Sequence, residues 1–490
     1  MLDRKGFLRS GTVLATVALL IGRAFPTQAA DTTQQEMQEQ IRALQQKVDE
    51  LNKRVGPSPS TPGTKNAAPE PAGTSPLTWN GITLYGTIDA GIAYLSHGAP
   101  LSPTYAAGLP FILSNYSNHP ITSLAPNGLS QSRLGISGVE PLGVSDLKGV
   151  FKLETGFNPT SGRLTDGPKS LLDNNGRPNN NKVTGADSSR AGQPFEGAAY
   201  GGISSSTLGT LTFGRQNTPM ADNLLKYDPQ LQANAFSPIA FSGVSGGLGD
   251  TEDKALDDSL KYTLNYGPAR LAVLYQFGSR GVVAEGSESV DVGFDYASVS
   301  VDALYGKVRG AVSAASLTAA QNAVAPGTLA GTISDNTAYS LLASYTVKPV
   351  KFYFGYEHIR YANPADPLPP NTVTIGGYVL SVVNNTAFTI NKVLNYTWTG
   401  ARYSVTRKLD VTAAYYHFQQ NSYAANHCSD TSAASCSGIF HDASLVADYR
   451  WTRRFDTYAG VNYSSGSGGL VSGFLFNVAW APMIGARFSF

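Results

Sequence analysis

The sequence predicts an all-β fold, a sixteen-stranded antiparallel transmembrane β-barrel preceded by a short coiled-coil helix. Three observations carry this. Charged residues are only 14% of the 490, against about 25% in ordinary globular chains, and 51 glycines and 25 tyrosines fill the gap with strand and turn formers. From Trp79 onward apolar residues recur at every second position, the period of a strand with two unlike faces. The chain then ends "APMIGARFSF", with Ile484, Ala486, Phe488 and Phe490 on one face up to the last residue.

Residues 1–30 read as a secretory signal peptide. Arg4, Lys5 and Arg9 precede an apolar run from Val13 to Ile21, and "TQAA" supplies small residues for cleavage. The run is shorter than the roughly 20 residues of a membrane helix. Removal of Arg4, Lys5, Arg9 and Arg23 with Asp3 takes +3 from a net charge of +1 and leaves a mature chain near −2. Neither value suits a nucleic-acid binder.

Residues 31–55 carry Met37, Ile41, Leu44, Val48, Leu51 and Val55 at spacings of 4, 3, 4, 3 and 4, a coiled-coil seam. With under three heptads it needs an assembly that already oligomerises; the alternative is an amphipathic helix packed on its own barrel. Residues 56–78 form a Pro/Ser-rich linker, with six prolines between Gly56 and Pro76.

The barrel is expected over 79–490. In "ITLYGTIDAGIAY", Ile82, Leu84, Ile88, Ile92 and Tyr94 take one face, and Thr83, Tyr85, Thr87 and Asp89 the other. "VFKLETGF", "SLKYTLNY" and "FDTYAGVNY" alternate likewise, with aromatic residues at strand ends as in membrane-interface girdles. Sixteen such strands run from 81–94 to 483–490. Turns such as "TVKPV", "TRK" and "RWTRR" are short, whereas 217–256, 309–333, 362–390 and 422–440 are long. Even strand number and loops long at one end only are the pattern of a closed barrel in an outer membrane, with lipid as its partner.

The words "SQSRLGISGVEPLG", "GVFKLETGFN", "LGTLTFGRQ", "DDSLKYT", "DASLVADYRWTRRFDTYAGV" and "GARFSF" follow in family order from about residue 80, and together resemble the Gram-negative general porins of the β-proteobacterial trimeric type. The resemblance implies an outer-membrane, water-filled channel for small hydrophilic solutes and ions. It also implies a homotrimer, and an N-terminal extension in the periplasm that helps trimerise or approaches the cell wall. The closing Phe488 and Phe490 resemble the insertion signal read by the barrel-assembly machinery. A third loop folded into the barrel falls at 217–256, with Asp250, Glu252, Asp253, Asp257 and Asp258 as constriction acids. Arg133 and Arg215 match the family's basic wall, and strand parity adds Lys152 and Lys261. Strict alternation from Leu211 and Phe213 turns Arg215 outward, so it reaches the lumen only if the strand bulges near Gly214. The family's Pro-Glu-Phe-Gly loop signature is absent, and Thr87 and Ser137 stand where relatives carry further basic residues. Alternative readings are a solute-selective pore for sugars or for phosphate and other anions, and a barrel-anchored enzyme or adhesin.

Cys428 and Cys436, with seven residues between them in an exported chain, are expected to form one disulfide. The flanking His427 and His441 fit no zinc spacing, so neither metal nor cofactor is called for. "GVSGG" at 243–247 matches a nucleophile elbow only formally, because it lies in a Gly-rich loop and not at a strand-to-helix turn. No catalytic residue is assigned.

Overall fold

A computed structural model of the protein describes residues 77–96, 120–165, 167–178, 193–240, 255–278, 286–424, 433–472 and 476–490. The expected signal peptide, the expected coiled-coil seam and the expected linker up to residue 76 lie outside the described residues, as do Asp250, Glu252, Asp253 and Cys428.

Twenty strands form one sheet: β1 (Leu77–Trp79), β2 (Ile82–Leu95), β3 (Ile121–Pro126), β4 (Arg133–Pro141), β5 (Lys148–Gly156), β6 (Ala198–Ser205), β7 (Gly209–Asn217), β8 (Ala255–Tyr266), β9 (Ala269–Gln276), β10 (Ser287–Tyr296), β11 (Val299–Ala315), β12 (Leu329–Val347), β13 (Val350–Ala362), β14 (Val373–Ile375), β15 (Tyr378–Asn384), β16 (Lys392–Ser404), β17 (Leu409–Gln420), β18 (Gly438–Arg450), β19 (Phe455–Gly468) and β20 (Val478–Ser489). The helices are α1 (Gly167–Leu172), α2 (Pro219–Tyr227) and α3 (Ala319–Val324). β3 and β4 both pair with β2 and act as one strand interrupted at 127–132. β1 is a short addition to β2, and β14 and β15 form a hairpin inside a long loop. Sixteen strands remain, each antiparallel to the next, and β20 pairs with both β19 and β2, which closes the barrel. Closure removes the sheet edge that a bilayer cannot hydrate.

The alternation predicted for β2 is realised. Ile82, Leu84, Ile88, Ile92 and Tyr94 are exposed on the outer wall, while Thr87 and Asp89 are buried inside. Tyr266, Tyr296, Tyr345, Tyr403, Trp451 and Phe488 are exposed near the short turns, where an aromatic girdle belongs. Two expectations shift. The 309–333 segment is strand at both ends with α3 between them, because β11 and β12 run on to 17 and 19 residues. The 362–390 loop contains the β14–β15 hairpin, whose second strand pairs in parallel with β12.

The lumen is not wet all round. From β11 to β18 the inward set includes Leu342, Ile359, Tyr396, Trp398, Phe418 and Phe440, packed as one apolar cluster. Tyr396 stacks on Trp398 at 4.9 Å and on Phe418 at 4.2 Å. Their cover is the segment after β7. Thr218 caps α2 by accepting from the Ala221 N–H, Pro219 fills the first turn, and Met220, Ala221, Leu224 and Tyr227 form its buried face. Trp398 Nε1 donates to the Tyr227 carbonyl at 3.0 Å, which ties the helix end to β16. Beyond α2 the chain continues along the inner wall. Gln230 donates to Ser444 Oγ of β18, Phe236 packs edge-on against Tyr458 of β19, and the Ala235 N–H donates to the Gly128 carbonyl in the β3–β4 break. Asp228, fully buried, pins this turn: its carboxylate accepts from Gln232 N, Ser237 Oγ and Tyr416 Oη.

Candidate functional site: the lumenal constriction

With α2 and its following turn lying over the β10–β19 side, the polar inner face is left on β2 to β8. Three groups meet there around one carboxylate. Glu154 of β5 accepts from Tyr85 Oη at 2.8 Å, and its Oε2 lies 3.2 Å from Lys152 Nζ and 3.7 Å from Arg133 Nη1. Register explains the cluster: Arg133 lies beside Thr87, and Ser137 is flanked by Thr83 and by Lys152. Small neighbours leave the long side chains room to reach one another. The Arg133 side chain keeps 43% of its surface exposed and that of Lys152 31%, against 11% for Glu154, so the cations present the solvent-facing charge.

Lys261 of β8 reaches from the same wall to the loop. Its Nζ donates to Asp222 Oδ2 at 2.7 Å and to the Asn217 carbonyl at 2.9 Å. Asp222 sits in the first turn of α2, where a negative charge complements the helix dipole. This acid and Glu154 are the carboxylates that face the basic residues, and neither was singled out from the sequence. Glu154 could have been found from strand parity, being two residues from Lys152. Asp222 carried no signal without the fold of its loop.

Arg215 shows the expected bulge. The β7–β8 register shifts between Gly214 and Gln216, and Gly214 takes φ +123°, which a side chain would resist. The guanidinium is nearly buried and donates to the carbonyls of Glu196 and Ala255 and to Asp257 Oδ1 at 2.8 Å. Arg215 and Asp257 are thus neighbours on adjoining strands, not opposing charges across the pore. Asp258 is exposed and, like Asp257, lies within β8, since that strand starts at Ala255. Phe488 is exposed on the outer wall, and its ring lies 6.1 Å from that of Phe490. Cys436 is buried and disulfide-bonded. Among the described residues no three or more His, Cys, Asp or Glu side chains gather as a metal site.

A comparison with curated protein sequences gives no match. Solved structures do match. The anion-selective porin from Comamonas acidovorans superposes with a TM-score of 0.55 at 17% identity, covering 84% of this chain and 99% of that one. OmpT of Vibrio cholerae, folded in vitro, gives 0.52 at 14% identity over 85% and 100% of the two chains. The trimer form of that protein gives 0.50 at 13% identity over 84% and 99%. At these identities the likeness is one of fold. The sequence profile of the Gram-negative porins matches residues 60–469, so the chain belongs to the Gram-negative porin family, outer-membrane channels for small solutes.

Proposed function

We propose that the protein is a passive, water-filled pore whose narrowest part lies between Arg133, Lys152 and Lys261 on the barrel wall and the Asp222 end of α2. The observation that carries this reading is the Lys261–Asp222 bridge, which joins the basic wall to the loop. Opposed charges at a partly dehydrated constriction set up a transverse field that polar solutes tolerate and apolar ones do not. Single-channel recording in asymmetric KCl tests it. Neutralising Arg133→Gln with Lys152→Gln should shift the reversal potential toward cation preference, and an unchanged potential removes both from the constriction.

Within transport, anion selectivity is the favoured second reading, and a sugar slide is not. The lumenal aromatics Tyr396, Trp398 and Tyr416 have no exposed surface on which a sugar ring could stack, and the half-buried Tyr85 and Tyr200 lie on the polar wall beside Lys152 and Glu154. The fold and family speak for a channel rather than an enzyme; ester hydrolysis by the purified barrel, without conductance, would reverse that. Self-association as a homotrimer is supported by the trimeric Vibrio cholerae relative and by the apolar outer face of β2–β4, with Ile88, Ile92, Leu124 and Leu134 exposed. The N-terminal extension is assigned to the periplasm, Phe488 and Phe490 to recognition by the assembly machinery, and Cys428 to the disulfide of Cys436.

A further inference from the structure

Lys351 and Arg402 are direct cross-strand partners in the β13–β16 ladder. Both share the inward parity of Tyr353 and Trp398, which are buried, while Phe352 and Tyr403 beside them are exposed on the outer wall. Like charges placed opposite each other in a ladder repel, so this arrangement is unfavourable by itself.

Elsewhere in the lumen such charges are compensated. Arg133 and Lys152 share Glu154, Lys261 has Asp222, and Arg487 has Asp456 at 2.5 Å. Lys351 and Arg402 have no carboxylate within ion-pair distance among the described residues. Instead Lys351 Nζ donates to the Lys226 carbonyl at 3.2 Å, and Arg402 Nη2 donates to the Pro229 carbonyl at 3.2 Å. These are the residues just before and just after the buried Tyr227–Asp228 turn. Arg402 Nε also donates to Thr412 Oγ1 at 3.4 Å, and each group keeps further N–H donors beyond these bonds. The nearby acids are already engaged: Asp295 with Lys226 and Arg270, and Asp410 with Arg450 at 2.7 Å. Lys226 itself adds a third cation to this corner. Lys351 lies over the Tyr353 ring at 4.7 Å, yet it and Arg402 stay half-buried, whereas Lys392, between the rings of Tyr361 and Tyr423, is buried.

We propose that Lys351 and Arg402 form a binding site for a small oxyanion, for which inorganic phosphate is the probe. It lies near the short-turn end of the lumen, eight strands of sixteen around the barrel from Lys152. A tetrahedral anion there takes charge-assisted hydrogen bonds from the guanidinium and the ammonium together and relieves their repulsion. The inference rests on the pore reading above and adds a second anion station to it, on the other side of the loop from Arg133.

The test is phosphate block of chloride current in planar bilayers, with isothermal titration of phosphate into the detergent-solubilised wild-type protein as an independent readout. Lys351→Gln with Arg402→Gln keeps amide donors for the two loop carbonyls and removes both charges. It should raise the phosphate inhibition constant at least about ten-fold, the loss expected for two charge-assisted bonds. Each single variant should show a smaller loss, which decides the matter if the double variant fails to fold. A conducting double variant with unchanged phosphate block overturns the site, as does a conducting wild type that phosphate neither blocks nor binds. A wild type that never conducts overturns the pore reading instead, and the titration then still decides the site.

Discussion

Gly86 and Phe490 exchange both backbone hydrogen bonds, N–H to carbonyl at 3.0 Å in each direction, so the last residue of the chain closes the barrel on the first long strand. A side chain at position 86 would meet the Phe490 ring at 2.5 Å and the Arg133 carbonyl at 3.0 Å. Glycine there lets the terminal ring lie flat over the seam. Gly86→Val should destabilise the folded barrel by about 1–3 kcal/mol, the range for overpacking. In the same seam, Phe490→Ala should cost less in the Gly86→Val background than in wild type. Denaturant unfolding in detergent, read by the loss of heat-modifiable mobility, gives all four corners of the cycle. Strict additivity would mean that the ring and position 86 do not touch.

Asp89 should be the strongest single lock of the interrupted strand. Fully buried, it accepts from Leu129 N and Ser130 N at 2.8 Å each and from Tyr458 Oη at 2.7 Å, so it holds the β3–β4 break against β19. Asp89→Ala strands three donors and is expected to cost about 2–5 kcal/mol. Tyr458→Phe removes one hydrogen bond and should cost about 1 kcal/mol. The same unfolding assay ranks them, and equal effects would contradict the hub.

Removing the loop acid at the constriction should act opposite to removing the wall cations. Asp222→Asn frees Lys261 from its only carboxylate partner among the described residues and should move the reversal potential toward anions. The expected change in the anion-to-cation permeability ratio is about two-fold or more, given the short distance and partial burial. Reversal-potential measurements in a salt gradient check it.

At the short-turn end, Asp146 clasps the β6–β7 turn. It accepts from Ser205 Oγ, Ser206 Oγ and Ser206 N, and these hydroxyl and amide donors hold its carboxyl well below the usual range. A depressed folded pKa means that its stabilising contribution is present above the unfolded value of about 3.9 and is lost as pH falls through the folded one. Protection of the Ser206 amide, its exchange taken relative to the intrinsic rate at each pH, should therefore fall under acid conditions in wild type. In Asp146→Ala that protection should be low already at neutral pH, with no further acid-dependent loss.

The outer wall was legible because lipid and water impose a two-residue period, and β2 follows it from Ile82 to Tyr94. The aromatic strands were not. In "KVLNYTWTGARYS" the bulky Tyr396 and Trp398 face inward, since a loop covers them there, so an apolar-out rule misassigns the strand. Lys351 and Arg402 could each be placed by parity. Their juxtaposition could not, because register across the 363–391 excursion is set by pairing and not by local sequence. Asp89 and Tyr458, 369 residues apart, meet only once the barrel is shut.

The overlong β11–β12 ribbon has a consequence beyond permeation. Nineteen residues at ~3.3 Å each, tilted by ~40°, climb ~48 Å, against an apolar band of ~25 Å. The excess makes a stiff crest above the membrane, hydrogen-bonded on both sides of an irregularity between Val308 and Ala311. A large particle approaching from that side, whether antibody or bacteriophage, meets in this ridge a surface of fixed shape.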